Sequence, residues 1–147
     1  MSIHGSRVFA QWVVATLRAG GLIVGEAMKP AGVPANAGYA IVYPIAGGRT
    51  DGTLDDPNEM AEPRIQVTSY GVARYDDDTN GMQQCQWVVD RVRALLNVAL
   101  PVTLTDGRKV IQVSYPFADV SVIREDDTAG PPLFYAPDVI EFRTVPG

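Results

Sequence analysis

The apolar positions of this chain change period several times, and each change marks a different element. From Ser6 to Arg18, Phe9, Trp12, Val13 and Leu17 recur at helical spacing while Arg7, Gln11 and Arg18 share another face, interrupted only by Val14. The spacing predicts an amphipathic helix, ended by Gly20 and Gly21, which take up a left-handed stop at little cost. Pro30, Gly32, Pro34 and Gly38 then mark a loop. Tyr39 to Tyr43 reads as a strand of aromatic and branched residues, closed by Pro44, which cannot continue the ladder of a central strand. Arg64 to Tyr70 alternates polar Arg64, Gln66 and Thr68 with apolar Ile65 and Val67, the period of a strand with one wet face. Between these strands, residues 46–62 carry glycines at 47, 48 and 52, Pro57 and several acidic side chains, which predicts an irregular excursion longer than an ordinary loop.

The strongest pattern follows. Cys85, Val88, Val89, Val92, Leu95, Leu96 and Ala99 fall on one continuous stripe at helical spacing. At roughly 1.5–3 kcal/mol for each fully buried large aliphatic, the stripe supplies on the order of 10 kcal/mol before ordering entropy is set against it. Asp78 or Thr79 is placed to accept the free amide hydrogens at the start of this helix, and Pro101 marks its end. Val102 to Thr105 and Arg108 to Tyr115 then flank Asp106-Gly107, which predicts a hairpin with a two-residue turn and Ile111, Val113 and Tyr115 on one side. Val120 and Val122 suggest a short strand, residues 125–137 a second long loop, and residues 138–145 a last strand in which Ile140 and Phe142 alternate with Glu141 and Arg143. The expectation is a single α+β domain spanning residues 1–147, with two main helices and no internal repeat.

Composition narrows the function classes. A hydrophobic fraction of 46% with 20% charged residues belongs to a folding chain, and 147 residues suffice to bury about two-thirds of the unfolded surface. The net charge of -5, without a cluster of Lys and Arg, argues against nucleic-acid binding, which rests on phosphate neutralisation. The apolar runs are too short to span a bilayer and the N-terminus lacks the order of a secretory signal, so the chain is expected to be made and used in cytosol. A single cysteine, Cys85, excludes an internal disulfide and a cysteine-based zinc site.

Candidate chemistry is sparse. Asp76-Asp-Asp-Thr-Asn-Gly81 matches the first half of a calcium loop, but the twelfth position, which needs a bidentate glutamate, is Trp87. Aspartates before a helix N-terminus interact favourably with its dipole, which accounts for them without a metal. Gly47-Gly48-Arg49 lacks phosphate-loop spacing. His4, the only histidine, lies near the terminus, and Cys85 sits on the buried stripe, where a thiol is inert. Acidic Asp55, Asp56, Glu125, Asp126 and Asp127 fall in polar loops where solvated charge is the default. No enzyme activity and no cofactor are expected. Trp87 stands off the apolar stripe beside Arg91, with Asp90 and Arg93 making that side amphipathic, and aromatic residues with arginine are enriched at subunit interfaces.

Arg64-Ile-Gln-Val-Thr-Ser-Tyr-Gly71, a short spacer, then Gln84 through Leu96 is similar to the central strand and helix of the tail-terminator family of long-tailed bacteriophages. Pro34 through Pro44 resembles the strand these proteins place after their first helix, and Gly130-Pro-Pro-Leu-Phe-Tyr followed by Val139-Ile-Glu-Phe resembles their closing strand. The excursion at 46–62 is longer than in many relatives. The resemblance implies a mostly antiparallel sheet with the helices packed on one side. It implies assembly as a hexameric ring on the tail-tube protein, with a head-side connector (stopper) protein on the other face, in the tail and neck of the virion. DNA would pass through such a ring without specific binding, and an acidic wall repels phosphates. Candidate lumen residues are Asp76, Asp77, Asp78, Glu125, Asp126 and Asp127, and candidate ring contacts are Arg49, Trp87 and Arg91. The competing readings are a head-completion or connector protein of the phage neck, and a small enzyme or ligand-binding domain.

Overall fold

The computed structural model describes residues 6–34, 37–45, 63–72, 78–125 and 132–145. Helix α1 (Ser6–Ala19) leads into a short strand β1 (Val24–Glu26), then β2 (Tyr39–Ile45) and β3 (Arg64–Val72). Helix α2 (Asp78–Leu96) precedes β4 (Val102–Thr103), β5 (Lys109–Ser114), β6 (Ile123–Glu125) and the long β7 (Leu133–Val145). The strands form one sheet in the order β1-β2-β3-β7-β5-β4, with β6 paired to β7 as well. Every pairing is antiparallel except β1 with β2. The protein is α+β, with both helices on one side of the sheet.

Alternation explains which face they cover. Ala40 and Val42, Ile65 and Val67, and Ile140 and Phe142 point from adjacent strands into a core completed by Phe9, Val13 and Leu17 of α1 and Val88, Val92 and Leu96 of α2. Phe142 stacks on Phe9 with ring centroids 5.9 Å apart and meets the edge of Trp12 at 5.7 Å. Val14, an outlier in the sequence pattern, is buried as well. Gly71 lets β3 approach the start of α2: a Cβ there would lie 2.3 Å from the Gly81 carbonyl oxygen and 2.6 Å from the Cys85 nitrogen.

Several expectations are corrected. β1 falls where the sequence suggested only loop. Its backbone continues from α1 and docks beside β2 in register Val24↔Ala40, while Arg18 Nη2 donates to the Val24 carbonyl at 2.9 Å. α2 stops at Leu96, so Ala99 lies beyond it and is exposed. The β4–β5 connection has a three-residue turn instead of two: Gly107 N donates to Leu104 O, Leu104 N donates to Arg108 O, and Asp106 Oδ1 accepts the Arg108 amide. Gly107 holds φ +88°, the left-handed position such a turn requires. Of Ile111, Val113 and Tyr115, expected on one side, Val113 and Tyr115 pack against the core together, while a bulge between Val110 and Gln112 turns Ile111 outward and puts Val110 in the core instead. The strand after Pro116 is at 123–125, not at Val120 and Val122. The expected loop 125–137 is shorter, because β7 begins at Leu133.

Candidate interaction surface

The inner side of α2 is fixed by Cys85, Val88, Val92 and Leu96, all buried. Helical geometry turns Trp87 and Arg91, four residues apart, to the opposite side. Trp87 is 57% exposed, far more than an indole in a monomer's core would be. Arg91 is exposed and its Nη2 donates to the Gly20 carbonyl at the end of α1, 3.3 Å away, which ties the two helices at their outer surface. The structure therefore brings Trp87 and Arg91 together on one rigid helical face, while Arg49 lies outside the described residues.

Arg93 behaves differently from the sequence expectation that grouped it with Arg91 and Asp90. It points toward the sheet, where Nε and Nη2 donate to both carboxylate oxygens of Asp138 at 2.8 and 2.9 Å. Its remaining donors reach the Ala118 and Phe117 carbonyls, and its guanidinium lies 4.5 Å from the Tyr115 ring centroid. Hydrogen bonding to Asp138 pushes the Arg93 pKa up against the opposing effect of burial. Asp138 is 2% exposed and occupies a helix-facing position of β7. Burial, reinforced by Asp138, pushes the Tyr115 hydroxyl up to about 12. This cluster closes the side of β7 between its pairing with β6, at Leu133 to Tyr135, and with β5, at Glu141 to Val145. Beside it lies a shallow cavity of about 250 Å³ lined by Gln86, Val89, Asp90, Arg93, Ala118, Asp119, Val120 and Val122. Exposed Phe117 stands on the segment that forms one wall of this region. Arg93 and Asp138 were missed in the sequence, although an aspartate in register with core-facing Ile140 and Phe142 is the signal that a buried partner exists.

The helix-free face of the sheet carries a different surface. Tyr39, Tyr70 and Tyr135 form a ladder across β2, β3 and β7, with centroids 4.7 and 6.2 Å apart. Burial, then the neighbouring Tyr43, raises the Tyr70 pKa, and burial likewise raises that of Tyr39. Tyr43, Gln66, Thr68, Tyr70, Tyr135 and Pro137 help line an open groove of about 480 Å³ along this face.

Of the acidic candidates, Asp76, Asp77, Asp126 and Asp127 lie outside the described residues. Asp78 opens α2, and Glu125 ends β6 in an exposed position. Residues 78–81 are helical, whereas a calcium loop bends at its glycine. Val72, the end of β3, pairs with Leu133, which also pairs with Glu125. The strand ends that lead into both acidic stretches therefore adjoin at one end of the sheet. Among the described residues, no group of three His, Cys, Asp or Glu is arranged to hold a metal ion.

Cys85 is fully buried, its Sγ donates to the Ser69 carbonyl at 3.4 Å, and burial pushes the thiol from 9.0 up to about 12. Its thiolate fraction at pH 8 should therefore be about a thousand-fold below that of an ordinary thiol. Alkylation of the folded chain should be slower than that of the urea-unfolded chain by roughly two to three orders of magnitude, as followed by mass spectrometry; equal rates would show that α2 opens freely from β3. The same shift makes the thiol a source of stability below pH 9 that is lost as pH rises toward 12.

No family model matches the chain. A segment of 82 residues, 54% of the chain, is 26% identical to a catalase-peroxidase of Talaromyces marneffei, of which it spans 11%. A solved structure whose name describes no function is 18% identical, with 93% of this chain and 89% of that one covered at a TM-score of 0.46. The surfaces above are thus interpreted from their own geometry, which presents an exposed Trp–Arg pair on α2 and a tyrosine ladder on the opposite side of the sheet.

Proposed function

We propose that the chain is a tail-terminator subunit of a long-tailed bacteriophage, which assembles into a ring that caps the tail tube and joins it to the head-side connector. The observation that carries this reading is Trp87, a large aromatic side chain left 57% exposed on a rigid helix with Arg91 beside it. A closed ring of identical subunits needs two different surfaces per copy for its neighbours and two further faces for the structures above and below. The outer face of α2, the open groove beside Tyr43 on the other face of the sheet, and the sheet's two ends offer separate surfaces for these roles. The sequence resemblance of β3 and α2 to the family's central strand and helix supports the same reading.

The mechanism is steric. The ring matches the growing end of the tube on one side, and its other side lacks the surface to which another tube subunit adds. It needs no cofactor. The acidic stretches around Asp76 to Asp78 and Glu125 to Asp127, entered from adjoining strand ends, suit a wall past which DNA slides without adhering.

Deleting the gene from its phage and imaging the lysate by electron microscopy tests this directly. Over-long tubes without heads are expected. Tails of normal length lying free beside full heads would make the protein a head-completion or connector protein instead, and intact infectious particles would remove the structural role altogether.

A further inference from the structure

Besides Arg93, a second arginine is built into the fold, and among the described residues no carboxylate pairs with it. Arg108, at the end of the β4–β5 turn, is 6% exposed, yet its Nε and Nη2 both donate to a single oxygen, Thr144 Oγ1, at 3.3 Å. Arg64 and Arg93, by contrast, each pair with a carboxylate, Glu141 at 3.2 Å and Asp138 at 2.8 Å. For Arg108 the described residues supply only the hydroxyl. A guanidinium remains charged at every physiological pH, and a buried charge without an opposite charge is a strongly unfavourable arrangement. Its flat fork of donors fits the two oxygens of a carboxylate.

We propose that Arg108 receives a carboxylate from a neighbouring copy of this chain, which makes the β4–β5 edge one half of the contact between subunits. The inference rests on the ring reading above. Three observations favour a second copy over another anion. Among the described residues β4 ends the strand order and pairs on one side only, so this hairpin lies at an edge of the sheet. The same edge exposes an apolar side chain, Leu100, directly ahead of β4. Finally, the chain carries 17 acidic against 12 basic residues, so a copy of itself is rich in carboxylates, whereas its net charge of -5 disfavours polyanions.

Light scattering after size exclusion, together with thermal melting, tests the proposal on the full chain and its Arg108→Met and Arg108→Lys variants. The unaltered chain is expected to form rings. Arg108→Met should lose them while its monomer melts at the same temperature or a few degrees higher, because an uncompensated buried charge has been removed. Arg108→Lys, which keeps the charge without the fork, should assemble at least ten-fold more weakly. Rings formed normally by Arg108→Met would overturn the proposal, as would a monomer melting well below the unaltered one, which marks a structural role. Stabilisation of the unaltered monomer by sulfate alone, without assembly, would assign the site to a free ion and also overturn it. An unaltered chain that stays monomeric at every concentration would sink the ring reading as well, so the two failures are distinct.

Discussion

Replacing Arg93 with methionine should destabilise the fold by about 3–5 kcal/mol, the range found when one partner of a buried ion pair is removed. The reason is what stays behind. Asp138, 2% exposed on β7, would keep its carboxyl group buried without the two hydrogen bonds that now satisfy it. The Phe117 and Ala118 carbonyls would lose their donors at the same time, and the segment leading from β5 to β6 would lose its attachment to α2. For a chain of this size the loss corresponds to a fall of roughly 10 °C or more in melting temperature. Urea unfolding followed by circular dichroism measures it. A loss below about 1 kcal/mol, the range of exposed pairs, would mean that water reaches the carboxylate and that the cluster does not hold the sheet closed. The double variant Arg93→Met with Asp138→Leu should recover part of the loss, because the unsatisfied carboxyl group is then gone.

The same region shows where the sequence was legible and where it was not. The stripe on α2 and the alternation of β3 specify those elements directly, since each buries one face and exposes the other. β1 has three residues and no alternation to detect, and it is held by backbone contacts on either side, Ala40 N to Ile23 O and Ala27 N to Val42 O. Pro44, read as the end of β2, and Pro137, placed at the end of a loop, sit inside strands for a common reason. In each case the missing N–H faces an open side. Ala40 N points to β1, so Pro44, four residues on, points the same way, past the last β1 pair at Val42. Phe142 N points to the Pro63 carbonyl on the β3 side, so Pro137, five residues away, faces the other side, between β6 and β5. Neither proline removes a ladder bond, which is the condition under which a strand tolerates one.

Among the candidate site residues, Trp87 and Arg91 were legible because their spacing from the α2 stripe sets the direction they face. Arg93 was not, because it is only one residue from buried Val92 and its direction depends on Asp138, forty-five residues away. Spacing along a helix assigns a face; it does not identify a partner that arrives from another strand. Arg108 escaped for a similar reason, since a hairpin arginine reads as solvated until the fold shows that it is buried.

Trp87→Ala should abolish ring assembly while leaving the monomer's stability within about 0.5 kcal/mol of the unaltered value. The two effects separate because of where the indole sits. It is 57% exposed and absent from both buried clusters, so its removal opens no cavity in the core. At a subunit contact a tryptophan that becomes fully desolvated typically contributes about 2 kcal/mol or more. A closed ring repeats that loss at every contact, so a modest change per subunit becomes decisive for the assembly. Arg91→Ala should weaken assembly less, because the guanidinium is also bonded to Gly20 O and remains solvated in the monomer. Sedimentation of the purified variants and tail-length measurement in the mutant phage provide the two readouts. Full assembly by Trp87→Ala, with tails of normal length, would remove α2's outer face from the subunit contact and leave the β4–β5 edge to account for it.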